Sequence, residues 1–292
     1  MTPAEFTVCS TGPLATIQDL GRPGHAHLGV PRSGAADRES FGLANRLVGN
    51  LPDAACVEVT LGGFSARVHG TAMIAVTGPP TRVRVDGHDV GSHSAIPLRN
   101  GQSVSVTAPR HGCRNYIAVR GGFDVTPELG SRSTDTLSGL GPPPLCVKDR
   151  LPVGDLSGDW PAVMLAPPRA VGTEPAVVLS VRPGPRVDRL VDPGQLVIGR
   201  WQVNPASNRI GVRLDRPSTS AEPPLVHRDL PELRSEGVPL GGVQVPPSGQ
   251  PVIFLADHPV TGGYPTVAVL TPASLIRAAQ LVSGDSVRFV VG

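Results

Sequence analysis

The stretch Gln250-Pro-Val-Ile-Phe-Leu-Ala-Asp257, followed closely by Thr261-Gly-Gly-Tyr-Pro265, shows the pattern that decides the fold. A short apolar run opens into a glycine-rich turn, which is typical of a β-strand and the loop after it. Two adjacent glycines let backbone N–H groups come close to a bound group, and Tyr264 adds a ring and a hydroxyl. The same residues also suit an ordinary tight turn between two strands, so this stretch alone leaves both interpretations open.

Short strands and turns recur along the rest of the chain. Arg82-Val-Arg-Val85 runs into Asp86-Gly87, which is a strong hairpin signal, and Ser103-Val-Ser-Val-Thr107 follows the turn Asn100-Gly101. The 292 residues include 35 glycines and 33 prolines, and only 3% are aromatic. Such a composition, with few long helical patterns, predicts a mainly β fold with a few short helices.

Two helices are expected among the strands. The first follows Ser33 and Asp37, either of which can cap its start, and it places Phe41 and Ala44 on one face at a period of 3.6 residues. The second is expected to start at Thr271-Pro272, with the threonine as cap and the proline at the first helical position.

A segment rich in glycine and proline separates two halves of the sequence. We predict an N-terminal half at residues 1–160, a linker at 161–171 and a C-terminal half at 172–292. Gly101-Gln-Ser-Val-Ser-Val106 resembles Gly284-Asp-Ser-Val-Arg-Phe289, each a turn followed by an alternating strand. Two barrels of similar plan would produce this echo, and so would chance.

The composition excludes several functional classes. The net charge is +2 and Lys148 is the only lysine, so no basic surface for nucleic acid is expected. No apolar run reaches 18 residues and the N-terminus lacks the pattern of a signal peptide, which together predict a cytoplasmic protein. The four cysteines are far apart and form no CxxC pair, so we expect buried thiols: Cys9, Cys56, Cys113 and Cys146.

Standard catalytic signatures are absent from the sequence. It contains no GxxxxGK[ST] loop for a nucleotide, no GxSxG elbow and no HExxH zinc motif. His25 and His27 are two residues apart, but two ligands alone do not make a metal site. We therefore expect no metal.

Polar residues cluster instead on turn-rich segments beside glycine. Amide and guanidinium groups offer fork-shaped donors that suit a planar amide or a carboxylate ligand. Taken singly, each segment also suits a surface turn with capping groups. The segments are Gln18 to Gly24, Asn204 to Gly211, Ser235 to Gly237, Gln244 to Pro247 and Asp257 to Pro265.

Read together, these segments resemble a known family. The motifs run in order over nearly the whole chain and include Thr16-Ile-Gln-Asp-Leu-Gly-Arg-Pro-Gly24, Arg120-Gly-Gly-Phe-Asp124, Leu129-Gly-Ser-Arg-Ser-Thr-Asp135, Ser207-Asn-Arg-Ile-Gly211 and Thr261-Gly-Gly-Tyr-Pro265. The chain is similar to the biotin-dependent carboxyltransferase, or allophanate hydrolase subunit 2, family. That family includes components of 5-oxoprolinase and KipA-like antagonists of a kinase inhibitor.

The resemblance implies two cyclophilin-like β-barrel halves. It also implies a role as the C subunit of a heteromeric, ATP-dependent 5-oxoprolinase, which hydrolyses 5-oxo-L-proline to L-glutamate. The implied partners are the family's subunit 1, which resembles the B subunit of 5-oxoprolinase, and the A subunit of that enzyme. ATP is expected in the complex, without a P-loop in this chain.

Two alternatives remain open beside that interpretation. One is a carboxyltransferase subunit that uses biotin on urea or another amide, and the other is a KipA-like regulatory partner. The sequence shows no biotinylation motif, which favours the 5-oxoprolinase interpretation.

Candidate site residues follow from residue type and from the resemblance. Asn208, Arg209 and Tyr264 are the candidate catalytic residues, because they can donate hydrogen bonds to an oxyanion that develops on an amide. The candidate substrate-binding residues are Gln18, Asp19, Arg22, Gln244, Thr261, Gly262 and Gly263.

Overall fold

The computed structural model describes residues 4–169 and 175–292. Contacts divide the chain into two compact units, and short segments of the first half of the sequence group with the second. Unit 1 comprises Met1–Arg22, Ser33–Asp135 and Gly139–Val171, and unit 2 comprises Pro23–Arg32, Thr136–Ser138 and Gly172–Gly292.

Two antiparallel sheets with a shared core form unit 1. Its strands are β1 (Glu5–Thr11), β2 (Leu14–Gln18), β3 (Cys56–Thr60), β4 (Phe64–His69), β5 (Ala72–Thr77), β6 (Val83–Val85), β7 (His88–Asp89), β8 (Ala95–Leu98), β9 (Ser103–Val106), β10 (Arg114–Val119) and β11 (Arg150–Pro152). One sheet has the order β11-β1-β4-β9-β6-β7 and the other has the order β2-β3-β10-β5-β8. Alternate side chains of both sheets point inward, so Phe6, Ile17 and Ile117 belong to one apolar cluster.

Local sequence chemistry sets the turns and the helix of unit 1 as predicted. Asp86 and Gly87 both have positive φ angles, 49° and 83°, as the tight turn between β6 and β7 requires. Helix α1 (Arg38–Leu47) starts at Asp37, whose carboxylate accepts a hydrogen bond from the Ser40 N–H at 3.0 Å. The capping prediction is therefore confirmed for Asp37 and not for Ser33.

A buried tyrosine links α1 to the five-stranded sheet. The Tyr116 hydroxyl donates to Glu58 Oε2 at 2.7 Å and accepts from the Asp37 N–H at 2.8 Å. Burial, together with the neighbouring charges of Glu58 and Asp37, raises the pKa of Tyr116 well above its ordinary value. The hydroxyl therefore keeps its proton and acts as a fixed donor between helix and sheet.

Unit 2 is a closed barrel. Its elements are β12 (Val177–Pro183), β13 (Trp201–Val203), β14 (Gly211–Asp215), β15 (Glu236–Gly237), β16 (Gly242–Gln244), β17 (Val252–Phe254), β18 (Thr261–Gly262), β19 (Thr266–Leu270), α2 (Pro272–Ala278) and β20 (Ser286–Val291). The barrel has the order β12-β19-β16-β17-β14-β13-β20, and β20 closes it by pairing in parallel with β12. Trp201 and Phe289 fill its interior, while β15 and β18 form a separate two-stranded ribbon.

Helix α2 begins where the sequence predicts, with one difference at its cap. Pro272 occupies the first turn and Thr271 is the capping residue by position. The Thr271 hydroxyl, however, donates to the Ser274 hydroxyl at 3.1 Å and accepts no capping hydrogen bond from a backbone N–H. The predicted cap is thus confirmed in its position and wrong in its hydrogen bond.

The mainly β prediction, with barrel-like halves, is confirmed. Within residues 4–169 and 175–292 the strands are interrupted by α1, α2 and three short 3₁₀ turns at Ala26–Leu28, Val187–Arg189 and Pro193–Leu196. Neither α-helix of this described part has the length and apolar character needed to cross a bilayer. The predicted boundaries of the halves stay a prediction. Within the predicted linker 161–171, the Met164 carbonyl accepts a backbone hydrogen bond from the Ala95 N–H, and the Ala166 N–H donates to the His93 carbonyl. Residues 170 and 171 of that linker lie outside the described residues.

The expectation for the cysteines is half right. Cys56 and Cys113 are buried, and burial raises the pKa of the Cys56 thiol, so this group stays protonated. Cys9 and Cys146 are exposed. In β1 the neighbours Phe6 and Val8 point into the core, so strand alternation turns Cys9 to the outside.

The chain contains two tyrosines in contrasting environments, which allows a matched test of the buried link. We expect Tyr116→Phe to lower the free energy of unfolding by about 1–3 kcal/mol, because it leaves the buried Glu58 carboxylate and the Asp37 N–H without this hydrogen-bond partner. Tyr264 is 50% exposed, so Tyr264→Phe should leave stability nearly unchanged. Urea denaturation followed by circular dichroism compares the two variants. Equal stability of both variants would contradict a stabilising role for the Tyr116 hydroxyl.

Candidate functional site

The predicted site residues fall in both units. Gln18, Asp19 and Arg22 lie in unit 1, at the end of β2 and just after it. The other predicted residues lie in unit 2, on the barrel and on the β15–β18 ribbon: Asn208, Arg209, Gln244, Thr261, Gly262, Gly263 and Tyr264.

Three of these unit 2 residues line a single cavity of about 150 Å³. This size suits a ligand of few heavy atoms, since pockets for drug-sized molecules start at about 300 Å³. The cavity opens on the outer face of strands β14, β17 and β16. Its lining consists of Asn208, Ile210, Gly211, Arg213, Gln244, Pro246, Val252, Phe254 and Tyr264.

Asn208 forms one edge of the cavity and is held by its own turn. Its Oδ1 accepts hydrogen bonds from the N–H groups of Ile210 at 2.8 Å and of Gly211 at 3.2 Å. These contacts fix the side-chain amide at its oxygen, so the Nδ2 donor is the end that remains available to a ligand in the cavity.

Gln244 lies deeper, and the ribbon packs against its amide. The side chain is 3% exposed, and its Nε2 makes a long bond of 3.4 Å to the Thr266 hydroxyl. A methyl group added at Gly262 would lie 3.2 Å from Gln244 Nε2 and 3.4 Å from its Oε1. A side chain at position 262 would therefore require the Gln244 amide to shift by a small distance where the ribbon approaches it.

Tyr264 and its glycine neighbour stand at the outer rim. The Tyr264 side chain is 50% exposed, and Thr261 and Gly263 are also exposed. A methyl group at Gly263 would meet only the Leu233 carbonyl oxygen, at 3.8 Å. The two adjacent glycines thus differ, because only Gly262 is constrained by a side chain of the cavity.

Arg209 is not among the residues that line the cavity; it forms a buried ion pair with Asp257. Its Nε and Nη2 each donate to one oxygen of the Asp257 carboxylate at 2.9 Å, and both side chains are at most 1% exposed. Thr136, which groups with unit 2, donates to Asp257 from its hydroxyl at 2.7 Å and from its N–H at 3.0 Å. Burial acts to raise the pKa of Asp257, but the Arg209 charge and these hydrogen bonds outweigh it and hold the pKa below its ordinary value.

Arg213 is the residue of the cavity that sequence reasoning missed. It lies on β14 between Val212 and Leu214, which point into the barrel, so Arg213 points outward. The alternation of Gly211-Val-Arg-Leu-Asp215 was a usable signal, because it places a charge on the outer face directly after the Asn208 turn.

In unit 1, Asp19 organises a polar loop. Its Oδ1 accepts from the Gly21 N–H at 2.7 Å and from the hydroxyls of Ser131 and Ser133 at 2.6 Å, and its Oδ2 accepts from the Arg132 N–H at 2.5 Å. A carboxylate has about four acceptor positions. Three of the four hydrogen bonds end on Oδ1 and one ends on Oδ2, which indicates that Asp19 shapes the loop.

Neighbours of Asp19 retain buried polar atoms with unused hydrogen-bonding capacity. Gln18 Nε2 donates to the Thr134 carbonyl at 2.9 Å, and Arg22 Nη2 donates to the Ser133 carbonyl. Within the part of the chain that the structure describes, Gln18 Oε1, Arg22 Nη1, Arg132 Nε and Thr134 Oγ1 are buried and have no partner. Polar atoms of this kind are costly unless a ligand or water satisfies them. Thr134 and Arg132 were not predicted as site residues.

Comparisons with known proteins agree on one family. A family model described as carboxyltransferase domain, subdomain A and B, matches residues 28–291. The C subunit of 5-oxoprolinase from Escherichia coli (strain K12) is 34% identical over 289 residues, which covers 97% of this chain and 90% of that protein. The urea amidolyase of Lachancea kluyveri is 31% identical over 99% of this chain, but the match covers only 17% of that protein.

Solved structures show the same architecture. The crystal structure of TTHA0988 matches 99% of this chain with a TM-score of 0.86 and 32% identity, and the match covers 56% of that chain. The crystal structure of the K. lactis urea amidolyase matches the whole chain with a TM-score of 0.87 and 31% identity, over 19% of its own length. This chain therefore spans about half of one solved relative and a small part of the other.

The buried ion pair gives a prediction for stability and its pH dependence. We expect Asp257→Asn to lower the free energy of unfolding by about 3 kcal/mol at pH 7, because it leaves Arg209 buried beside a neutral group. Since the folded pKa of Asp257 is lowered, its contribution is present above the unfolded pKa of about 3.9 and is lost as the pH falls through the folded value. The difference in the free energy of unfolding between wild type and Asp257→Asn should therefore become smaller as the pH is lowered.

Unfolding of unit 2 can be followed by the fluorescence of the buried Trp201. The matched control is Glu236→Gln, because Glu236 also pairs with an arginine, Arg186, but both side chains are about one third exposed. This control should lose far less stability. Equal losses for the two variants, or a gap that stays constant in acid, would contradict the structural role of the Arg209–Asp257 pair.

The glycine pair gives a second prediction. Gly262→Ala forces the Gln244 amide to move, so we expect it to cost about 1 kcal/mol of stability, the lower end of the range for overpacking. Gly263→Ala has room and should be neutral or slightly stabilising, because alanine restricts the unfolded chain. Urea denaturation of both variants measures the difference. The reverse order of stability would show that Gly262 does not contact Gln244.

Proposed function

Because the chain belongs to the family of the carboxyltransferase domain, subdomains A and B, we propose that it is the C subunit of a heteromeric, ATP-dependent 5-oxoprolinase. The main support is the match to the C subunit of the Escherichia coli 5-oxoprolinase, which covers 90% of that protein, whereas the urea amidolyase match covers 17% of its protein. The proposed partners are a protein that resembles the B subunit of 5-oxoprolinase and the enzyme's A subunit. ATP belongs to the complex, and a cytoplasmic location is part of the proposal.

The proposed reaction opens a stable lactam. Resonance ties up the nitrogen lone pair of 5-oxo-L-proline, and transfer of the γ-phosphoryl group of ATP to the amide oxygen weakens that resonance. ADP leaves in that transfer, water then adds to the carbonyl carbon, and the carbon–nitrogen bond breaks as the nitrogen takes up a proton, which leaves the phosphoryl group on the new carboxyl group. A second water hydrolyses this acyl phosphate to L-glutamate and phosphate. The protein must donate hydrogen bonds to the developing oxyanion and limit the access of water.

The cavity of unit 2 has the groups that this chemistry needs. Asn208 Nδ2 and the Tyr264 hydroxyl are donors at its edge, and the buried Gln244 amide can both donate and accept. We expect Arg209 to act as a positioning residue for its neighbour Asn208, because its guanidinium is bound to the buried Asp257 and is not part of the cavity lining. The backbone of Gly262 and Gly263 stays a candidate for further donors.

Two residues of unit 1 are also proposed to bind substrate or to complete a site with a partner. Gln18 and Arg22 keep a buried acceptor and a buried donor without a partner in the described residues, which supports a ligand there. Asp19 is proposed to hold the loop in shape, since its carboxylate already accepts hydrogen bonds at both oxygens.

A second candidate function is carboxyl transfer from biotin to urea or a related amide. It is favoured by the match of 99% of this chain to a urea amidolyase. The two candidates use related chemistry, because both activate a planar amide or urea. They differ in the substrate and in the donor group, so a test with both substrates separates them.

The proposed function predicts that the chain is required for turnover. Coexpression with the two proposed partners, the B-like and A subunits, should give 5-oxo-L-proline-dependent release of ADP, and omission of this chain should abolish it. We expect Asn208→Ala to lower kcat by about 10²-fold, the effect of removing one oxyanion donor.

The matched control is Asn100→Ala. Asn100 also accepts a backbone N–H through its Oδ1, from Gly70, but lies in unit 1 outside the cavity. The control variant should keep full turnover. Turnover without this chain would contradict the proposal, and biotin-dependent carboxylation of urea without any 5-oxo-L-proline hydrolysis would favour the second candidate.

A further inference from the structure

Three side chains of the cavity stand in one row across the outer face of the barrel. Arg213 on β14 pairs with Val252 on β17, and Val252 pairs with Gln244 on β16. Residues paired in this way point to the same face of a sheet. Neighbouring strands are about 4.8 Å apart, so the backbones of Arg213 and Gln244 are separated by about 10 Å, with Val252 between them.

The row has a charge at one end and an amide at the other. Among the nine residues that line the cavity, Arg213 is the single ionisable group that is charged at neutral pH, and the lining contains no carboxylate. The Arg213 backbone is fixed, since its N–H donates to the Ser207 hydroxyl at 3.0 Å and its carbonyl accepts from the Asn204 N–H at 2.9 Å. Its guanidinium is not engaged with any carboxylate in the described residues.

The floor between the two polar ends is apolar. Val252 and Phe254 present hydrocarbon surface, and Gly211, which pairs with Phe254, adds no side chain above it. An apolar floor flanked by a few convergent polar groups is the usual composition of a small-molecule site. A ligand that lies on this floor can therefore meet Arg213 at one end and Gln244 at the other.

We propose that this cavity binds a small cyclic molecule with a carboxylate at Arg213 and an amide group at Gln244, and that the ring of this molecule lies on Val252. The inference rests on the proposed function, because it names Arg213 as the residue that recognises the carboxylate of the lactam substrate. A guanidinium fork binds a carboxylate through two parallel hydrogen bonds. Urea has no carboxylate and forms no ion pair at this end of the row, so Arg213 favours the lactam acid over urea.

The experiment measures binding to the purified full chain with two probes, 5-oxo-L-proline and 2-pyrrolidinone. The second probe has the same lactam ring and lacks the carboxylate. Wild type should bind 5-oxo-L-proline about tenfold more tightly than 2-pyrrolidinone. This is the lower end for hydrogen bonds to charged groups, because Arg213 is exposed to water. Arg213→Met should remove the preference, and Arg213→Gln provides a second variant without the charge.

The matched control is Arg288→Met. Arg288 is also an exposed strand arginine of the same barrel, on β20, and does not line the cavity. This variant should keep the tenfold preference. Trp201 fluorescence verifies that each variant is folded. The inference is overturned when wild type binds neither probe, when it binds both equally, or when a folded Arg213 variant keeps the preference.

Turnover by the assembled enzyme separates this inference from the proposed function. When Arg213→Met raises KM for 5-oxo-L-proline about tenfold and Arg288→Met does not, the result supports both the role of Arg213 and the proposed function. An Arg213→Met enzyme that hydrolyses 5-oxo-L-proline with an unchanged KM rejects the role of Arg213 and does not contradict the proposed function. An assembly that hydrolyses no 5-oxo-L-proline, although the chain binds it through Arg213, rejects the function and keeps the binding site.

Discussion

The buried ion pair between Arg209 and Asp257 is the interaction on which the candidate site depends. It ties the turn before β14 to the segment after β17, and both side chains are almost inaccessible to water. Two such charges are tolerated only as partners in good geometry, since an uncompensated buried charge costs several kcal/mol. The turn is therefore held in one conformation, and Asn208, the adjacent residue, is held at the edge of the cavity. The rest of the cavity stands on paired barrel strands, so its polar groups are presented by rigid elements.

Sequence reasoning succeeded where the determinant is local. The turn at Asp86-Gly87 and the cap at Asp37 follow from the chemistry of a few neighbouring residues, and both are present. It also selected Asn208, Gln244 and Tyr264, because amide and phenol groups beside glycine suit a planar ligand. It missed Arg213, since the direction of that side chain depends on the register of β14 in the barrel. It did not foresee that Arg209 is held in a buried ion pair, because its partner Asp257 is 48 residues further along the chain.

The two units use their polar residues in different ways. In unit 1 the Asp19 carboxylate is surrounded by donors, and single buried atoms of Gln18 and Arg22 have no hydrogen-bond partner among the residues that the structure describes. In unit 2 the polar groups line an open cavity that already has an apolar floor. In unit 1, the loop around Asp19 requires another molecule or water to complete the hydrogen bonds of Gln18 and Arg22. The cavity of unit 2 is a formed pocket, which explains why the chemistry of a ligand can be read from it directly.

The closure of the barrel determines when it can fold. Strand β20 pairs with β12, its neighbour on one side, and with β13 on the other, although more than 80 residues separate it from either strand in the sequence. Until β20 has left the ribosome, β12 and β13 each expose an unpaired edge, and such edges are templates for aggregation. Contacts between distant residues also slow folding. The nascent barrel is therefore prone to aggregation until β20 has been synthesised and has paired with β12 and β13. We expect chaperones to bind the chain mainly during this period.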